Sequence, residues 1–463
     1  MSIGAVVMAA GQGTRMKSDL PKVLHPIAGR PLVGWVLDAL GGTRVDRTVV
    51  VVGHGSELVR ESLPPGCTTA LQREQHGTGH AVQIGLRALD KSCDTVIVLS
   101  GDTPLLTREL VRSLVRAHRR GRRAGTLVST VLDDPGRYGR VVREDGAIRI
   151  VEARDASAAQ LAIREINAGL YVFDRAQLER ALRKVGRDNA QGEVYLPDVL
   201  PLLAGPVGVL TSPDPDVVLG VNSRADLASC AGIIQERLRG DLLTAGVTMP
   251  DPSAVYVDAD VEVGPDTVLQ PGTHLEGRTR IGSGCVIGPN AVVRSCLIGD
   301  GTEVLFAHLS DSSVGTGCQV GPFAYLRPGV IVEDGGKIGT YVEVKNSRVG
   351  KKAKVPHLSY IGDAEIGDGT NIGAGNITAN YDGFRKHRTT IGAGVKTGSD
   401  CVFVAPVSIG DRAMTAAGSI ITHDVPAGAL GIARARQENR EDFTRRAEAK
   451  AQAAMKRDAK GNR

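Results

Sequence analysis

Three short runs of consecutive apolar residues open the chain: IGAVVMAA at 3–10, TVVVV at 48–52 and TVIVL at 95–99. Runs of that length, bounded by Gly, Ser or Asp, predict strands buried on both faces. Between them, 31–41, 55–62, 78–90 and 107–120 carry apolar residues at helical spacing. Strand and helix in alternation predict an α/β doubly wound, Rossmann-like domain with a parallel sheet. Ligands on such sheets bind at the carboxyl ends of the strands, which here are the loops 9–15 and 100–104. Residues 222–245 change character. Leu227, Ile234, Leu238 and Leu242 recur at helical spacing among charges, which predicts one long connecting helix stopped by Met249-Pro250-Asp251-Pro252.

Beyond that break the period becomes six. Val255, Val261, Thr267, Thr273, Thr279, Cys285, Ala291 and Leu297 form one series, and Val257, Val263, Leu269, Leu275, Ile281, Ile287 and Val293 a second, two places on. The register returns as Val395, Cys401, Val407, Ala413 and Ser419, flanked by Phe403, Ile409 and Ile421. Two apolar positions in six cannot make a helical stripe. They suit short strands wound into a coil of roughly 18 residues per triangular turn, stacked about 4.8 Å apart, or about ten turns over 252–430. These hexads resemble the left-handed parallel β-helix of the hexapeptide-repeat transferases, from which the handedness is taken. The polar stretch 376–390 (NITANYDGFRKHRTT) interrupts the repeat and should project as a loop.

Composition narrows the class. Aromatic residues are only 3% of the chain, which favours β-branched stacks over large aromatic anchors. The net charge of +5 is local: from Arg434 onward there are ten Lys or Arg and five Asp or Glu, leaving the rest balanced. A basic stripe on a folded face, the mark of a nucleic-acid binder, is not the pattern. The tail is expected to be solvated and partly disordered. Seven cysteines without a C-x-x-C pair predict reduced, buried thiols. With no basic n-region, and an opening apolar run too short to span a bilayer, a cytoplasmic protein without a membrane partner is expected.

Two constellations carry chemistry. In the first, Gly11-Gln12-Gly13-Thr14-Arg15 follows a strand, and Pro21-Lys22 comes soon after. Glycines let backbone N–H groups approach phosphate, and Arg15 and Lys22 can neutralise charge on a reacting phosphorus. Asp102 lies at a strand end facing this loop. His76 and His80, four apart, have no Glu between them and are not read as a metal pair. In the second, Arg327, Tyr341 to Asn346, His357 to Tyr360, Asn371 and Asn380 to Gly383 are spaced so that they stack on one edge of a coil. Acyl transfer to an amine needs a base and an oxyanion donor; His357 suits the first role, with Glu343 able to orient its imidazole.

The first motif, with EQHGTGHAV (74–82), SGDTPLL (100–106), RYGRVV (137–142), EINAGLYVFD (165–174), NAQGEVYLPD (189–198) and GVNSRADL (220–227), resembles the nucleoside-diphosphate-sugar pyrophosphorylases. The whole chain to about residue 440 is similar to the bifunctional N-acetylglucosamine-1-phosphate uridylyltransferase/glucosamine-1-phosphate acetyltransferases. The resemblance implies that Met8, Ala9, Ala10, Gly11, Gln72, Gly77 and Thr78 hold the uridine moiety, with Arg15, Lys22, Ser100 and Gly101 beside it. Gly139, Glu152 and Asn167 would hold the sugar, and Asp102 and Asn222 a Mg²⁺ ion. At the second site it implies His357 as base, and Arg327, Lys345, Tyr360, Asn371 and Lys386 on the sugar phosphate. Asn380 and Tyr381 would flank acetyl-CoA, with Ala374, Ser399, Ala417 and Arg434 along its path and the Ser399 N–H as oxyanion donor. Glucosamine 1-phosphate, N-acetylglucosamine 1-phosphate, UTP and acetyl-CoA follow as substrates, peptidoglycan precursor synthesis as the setting, and a homotrimer in which the 376–390 loop reaches a neighbour. The implied domains are 1–225 (nucleotidyltransferase), 226–250 (linker), 251–434 (acetyltransferase) and 435–463 (tail). The alternative is a monofunctional nucleotidyltransferase with an inert β-helix scaffold.

Overall fold

A computed structural model describes residues 2–144 and 146–461, which divide into two compact units, Met1–Ser295 and Cys296–Arg463. The first unit is built on a twisted sheet. Its strands are β1 (Ser2–Ala9), β2 (Arg47–Val52), β3 (Cys67–Leu71), β4 (Cys93–Ser100), β5 (Gly125–Val131), β6 (Arg140–Glu144), β7 (Ala147–Val151), β8 (Glu165–Asp174) and β9 (Val207–Thr211). The order is β9-β5-β8-β4-β1-β2-β3, with the β6–β7 hairpin attached to β8. The three apolar runs of the sequence are β1, β2 and β4, adjacent and parallel. One strand departs from the expected parallel sheet. β8 is antiparallel to both β4 and β5, because the chain returns into it from the β6–β7 hairpin rather than through a crossover helix.

Alternation along the strands feeds two cores. Ile3, Ala5, Val7, Val50, Val52, Ile97 and Leu99 face the helices Leu32–Leu40, Ser56–Ser62 and Arg108–Arg120. Val6, Val49, Val51, Val96 and Val98 face Thr78–Ala88 and Arg175–Leu182. Each buried Val, Ile or Leu among these contributes roughly 1.5–3 kcal/mol. Sequence sets the helix ends locally. The Thr107 side chain accepts the Leu110 N–H at 3.1 Å, and Ser223 with Asp226 forms a capping box at the head of the long helix Arg224–Thr244. That helix lies where the 222–245 spacing predicts it.

The hexads that close the first unit pair in parallel at eighteen-residue intervals: Tyr256 with His274, Glu262 with Arg280, Val268 with Val286 and His274 with Val292. The second unit continues the same architecture as a parallel β-helix with three faces. One runs through 308–310, 325–326, 343–345, 360–362, 377–379 and 402–404, and a second through 297–298, 313–314, 331–332, 348–349, 364–366, 389–391 and 407–409. The third runs through 303–304, 319–320, 337–340 and 354–357.

The six-residue register slips in places. Leu297, expected inside, is exposed, and Cys296 takes the interior position. The corner at Ser295, in a left-handed conformation (φ 50°), turns with one residue fewer than a full hexad. Shortened corners leave several turns at seventeen residues, as from Glu343 to Tyr360. One turn is longer: Glu365 pairs with Thr390, twenty-five residues on, and the extra length projects as the expected loop, closed by an antiparallel bridge between Tyr381 and Lys386. The tail differs from expectation. Phe443–Gly461 is a helix, and its described side chains are exposed. Ala-rich spacing between its charges gives it high helix propensity without a packing partner.

Candidate active sites

The first site gathers at the carboxyl ends of β1 and β4. A cavity of about 220 Å³ is lined by Met8, Ala9, Ala10, Gly11, Lys22, Gln72, Gly77, Thr78, Ser100 and Asp102. Gly101 donates its N–H to the Met8 carbonyl at 2.8 Å, tying the two strand ends together. Gly13 is needed for its backbone: it has φ 64°, and a Cβ there would lie 2.7 Å from the Cβ of Lys22. The Lys22 ammonium is thereby brought against the Asp102 carboxylate and to 3.3 Å from Asn222 Oδ1. Arg15 donates to the same Asn222 oxygen at 3.0 Å, and Ser100 Oγ to Asp102 Oδ1 at 2.7 Å. Asn222 reaches this place because Val221 N–H bonds the Asp102 carbonyl at 2.9 Å. Its own N–H is held by Asp226 at the head of the long helix.

A second cavity of about 890 Å³ adjoins, lined in part by Arg15, Glu152 and Asn222, with Tyr138 and Tyr195. Gly139 keeps space for Glu152, since a Cβ there would stand 3.1 Å from the carboxylate. Asn167 N–H donates to the Gly139 carbonyl at 2.9 Å, so the three expected sugar residues are neighbours. Burial, then Asp155 and Asp198, pushes the Glu152 carboxyl up. Burial, then Asp155 and Glu152, raises the Tyr195 phenol to about 12. Residues that sequence reasoning missed are Gln75, whose amide donates to the Ala10 carbonyl at 2.6 Å, and Tyr138, Glu193 and Tyr195 on the cavity walls. Only chain folding brings these to the Gly-rich loop.

Two oxygens, from Asp102 and Asn222, converge on one cationic group, the Lys22 ammonium. That donor set fits a divalent ion that takes few hard oxygen ligands from protein and keeps its waters. His76 pairs with Glu74 at 2.8 Å, and His80 Nδ1 faces the Gln72 amide at 3.2 Å.

The second site lies on the coil. Arg327 and Lys345 fall on successive turns of one face, and Glu343 pairs directly with Tyr360. Glu343 does not orient His357. It accepts a hydrogen bond from Arg327 at 3.0 Å, which holds the guanidinium above its usual value. His357 ends the strand Lys354–His357 on the adjoining face, opposite Thr340, and is joined to Tyr360 by the corner Leu358-Ser359. Its imidazole is exposed and has no side-chain partner among the described residues. Asn371 lies on the same face one turn later, bridged to Lys354.

The loop carries Asn380, Tyr381 and Lys386. Asp382 locks it by accepting the N–H groups of Arg385 at 2.6 Å and Phe384 at 2.8 Å and bonding His387 Nε2 at 2.6 Å. Those bonds, led by the Arg385 N–H, bring its carboxyl down to about 2. Asn380 is buried, while Tyr381 and Phe384 at the tip are exposed. Ala374, Ser399 and Ala417 form a column on successive turns: Asp400 N–H bonds the Ala374 carbonyl at 2.7 Å, and Gly418 N–H the Ser399 carbonyl at 2.8 Å. Arg434 is exposed just past the last short strand, Leu430–Gly431.

Comparison with known proteins agrees with both halves. Residues 5–184 match the MobA-like NTP transferase domain family, and 260–295 match the bacterial transferase hexapeptide family of six repeats. The chain is 48% identical to the bifunctional protein GlmU of Heliobacterium modesticaldum over 444 residues, covering 95% of this chain and 97% of that protein. It is 48% identical to the Streptomyces coelicolor protein of the same name over 471 residues, covering 98% of each. It is 46% identical to that of Mycobacterium bovis over 454 residues, covering 95% and 92%. A nucleotidyltransferase-type sheet and a hexapeptide coil in one chain, matched end to end at this identity, make the chain a member of the GlmU family of bifunctional proteins.

Proposed function

We propose that the chain makes UDP-N-acetylglucosamine in two steps: acetyl transfer from acetyl-CoA to glucosamine 1-phosphate at the coil, then uridylyl transfer from UTP to N-acetylglucosamine 1-phosphate at the sheet, releasing pyrophosphate. The observation that carries this reading is the pair of separate polar clusters, each suited to one of the two reactions. The working division is 1–225 for nucleotidyl transfer, 226–250 for the linker, 251–434 for acetyl transfer and 435–463 for the tail.

At the sheet, the incoming sugar phosphate is already an anion, so positioning and charge neutralisation matter more than a base. Met8 to Gly11, Gln72, Gly77 and Thr78 line the nucleotide's place. Gly139, Glu152 and Asn167 hold the sugar, and Arg15 and Lys22 neutralise phosphate charge. Asp102 and Asn222 would hold Mg²⁺, which when bound supplies further charge neutralisation at phosphate oxygens.

At the coil, Arg327, Lys345 and Lys386 grip the sugar phosphate with Tyr360 and Asn371. His357 takes the proton released from the substrate amine. The Ser399 N–H faces the developing oxyanion, and Asn380, Tyr381, Ala374, Ala417 and Arg434 follow the acetyl-CoA path. An inert scaffold would have no use for so many cations gathered on one edge.

The tip of the loop, with Phe384 90% exposed, fits contact with a neighbouring copy in a homotrimer. Among the described residues no helix is long and apolar enough to cross a membrane, in keeping with a cytoplasmic enzyme. The test is to supply glucosamine 1-phosphate, acetyl-CoA, UTP and Mg²⁺ and identify products by mass spectrometry. UDP-N-acetylglucosamine is expected. Absence of the acetylated intermediate when UTP is withheld would leave only the nucleotidyltransferase.

A further inference from the structure

Asp363 sits at a corner of the coil where Asn346, Asp363 and Asn380 follow one another on successive turns, seventeen residues apart. Asn346 and Asp363 both adopt the left-handed conformation, with φ of 43° and 49°. A short polar residue at such a corner is unremarkable by itself, because Asn and Asp tolerate that conformation. Three further observations set Asp363 apart. Its carboxylate accepts both neighbouring amides, Asn346 Nδ2 at 2.6 Å and Asn380 Nδ2 at 2.5 Å. Asn380 is the residue from which the long loop departs, just past the strand Ile377–Ala379, and its Nδ2 end is held at the coil corner by this bond. Finally, Asp363 N–H bonds the Lys345 carbonyl at 3.0 Å, and the charges of Lys345 and Lys386 both act on the carboxylate.

Lys345 lies close enough to hold Lys386 below the ordinary lysine value through their side-chain interaction and like charge; Asp363 and Tyr360 pull it back up. Burial works to raise the Asp363 carboxyl, but the two amides and the two lysines outweigh it, and the group stays ionised more readily than usual. Around this cluster, Tyr360 comes from the adjoining strand, Arg327 on an earlier turn is engaged by Glu343, and His387 on the loop is engaged by Asp382.

We infer that Asp363 is a positioning residue for acetyl transfer: its carboxylate fixes the Asn380 amide at the root of the loop and stands as counter-charge to the Lys345–Lys386 pair that grips the sugar phosphate. Two ammonium groups side by side repel each other, and a fixed carboxylate lets both remain charged until a phosphate arrives. This rests on the acetyltransferase reading of the coil.

The experiment compares the full-length protein with Asp363→Asn, which preserves size, and Asp363→Glu, which preserves charge. For Asp363→Asn, kcat/KM for glucosamine 1-phosphate should fall at least ten-fold, mostly through KM. The high-pH decline of kcat/KM should move to lower pH, because a lysine pair without its counter-charge loses a proton sooner. Thermal midpoints should agree within about 2 °C of the parent, and Asp363→Glu should recover part of the loss. An unchanged KM, or a loss equal at every pH and matched by a lowered melting temperature, would mean that Asp363 is only a corner residue. A parent protein that fails to acetylate glucosamine 1-phosphate at all would instead overturn the underlying reading.

Discussion

The two sites are assembled in opposite ways. At the sheet, residues from 8 to 222 in the sequence meet because strand ends, the segment 72–78 and a helix head are folded onto one another, as when Lys22 touches both Asp102 and Asn222. At the coil, the residues proposed to grip the sugar phosphate are near one another in sequence, and the repeat length alone stacks Arg327 over Lys345. A doubly wound sheet therefore needs the whole domain to form its pocket. A coil needs only correct register over a few turns, and pays for that simplicity with sensitivity to any slip.

Single substitutions should separate the two designs. The largest expected effect is that of His357→Ala, which removes the only base proposed at the coil. Acetyl transfer should drop by about 10²–10⁴ while uridylyl transfer persists, measured by product-specific chromatography. Equal loss of both activities would show that the sites are not independent. Asp102→Ala should do the converse, with uridylyl transfer reduced by roughly 10²-fold or more and acetyl transfer retained. Added Mg²⁺ should restore little, because the carboxylate proposed to hold the ion is missing.

Next in size is a stability effect. Val344, fully buried on the coil face that carries Glu343 and Lys345, should cost roughly 1–3 kcal/mol when replaced by Ala. Denaturant melts would report it, together with weaker acetyl transfer if the register slips.

His118 offers a comparable test in the sheet unit. Burial, only partly offset by Asp174, lowers its pKa from 6.5 to about 4, and it bonds Thr126 Oγ1 at 3.1 Å. The unfolded chain binds this proton below pH 6.5 and the native state only below about 4, so stability is full above 6.5 and falls as pH drops through that window. The loss should approach about 3 kcal/mol. A flat denaturation midpoint between pH 7 and 4.5 would contradict it. The mildest change is Gly139→Ala. Its added methyl meets Ile150 and the Glu152 carboxylate and should raise KM for the sugar phosphate several-fold without touching the coil reaction.

Much of this could be read from residues alone. The apolar runs placed β1, β2 and β4, and the six-residue period placed most of the coil interior, because burial against a repeating backbone imposes a repeating pattern. Where the prediction failed, the cause was geometry at corners. Leu297 continues the six-residue count, yet the corner between Val293 and Cys296 is one residue shorter than a full hexad and turns it outward. Glu343 has the right spacing to serve His357, but the strand direction aims it at Arg327. The tail is charged enough to be read as unstructured, yet its alanines make it helical.

Residue identity determined by itself which segments are strands, helices or coil turns, and which chemical groups were on hand, since propensity, periodicity and side-chain chemistry are local properties. Only the tertiary structure decided who meets whom. The antiparallel entry of β8 and the convergence of Lys22, Asp102 and Asn222 depend on distances between residues far apart in the chain. Those distances follow from the packing of whole elements, which no local pattern encodes.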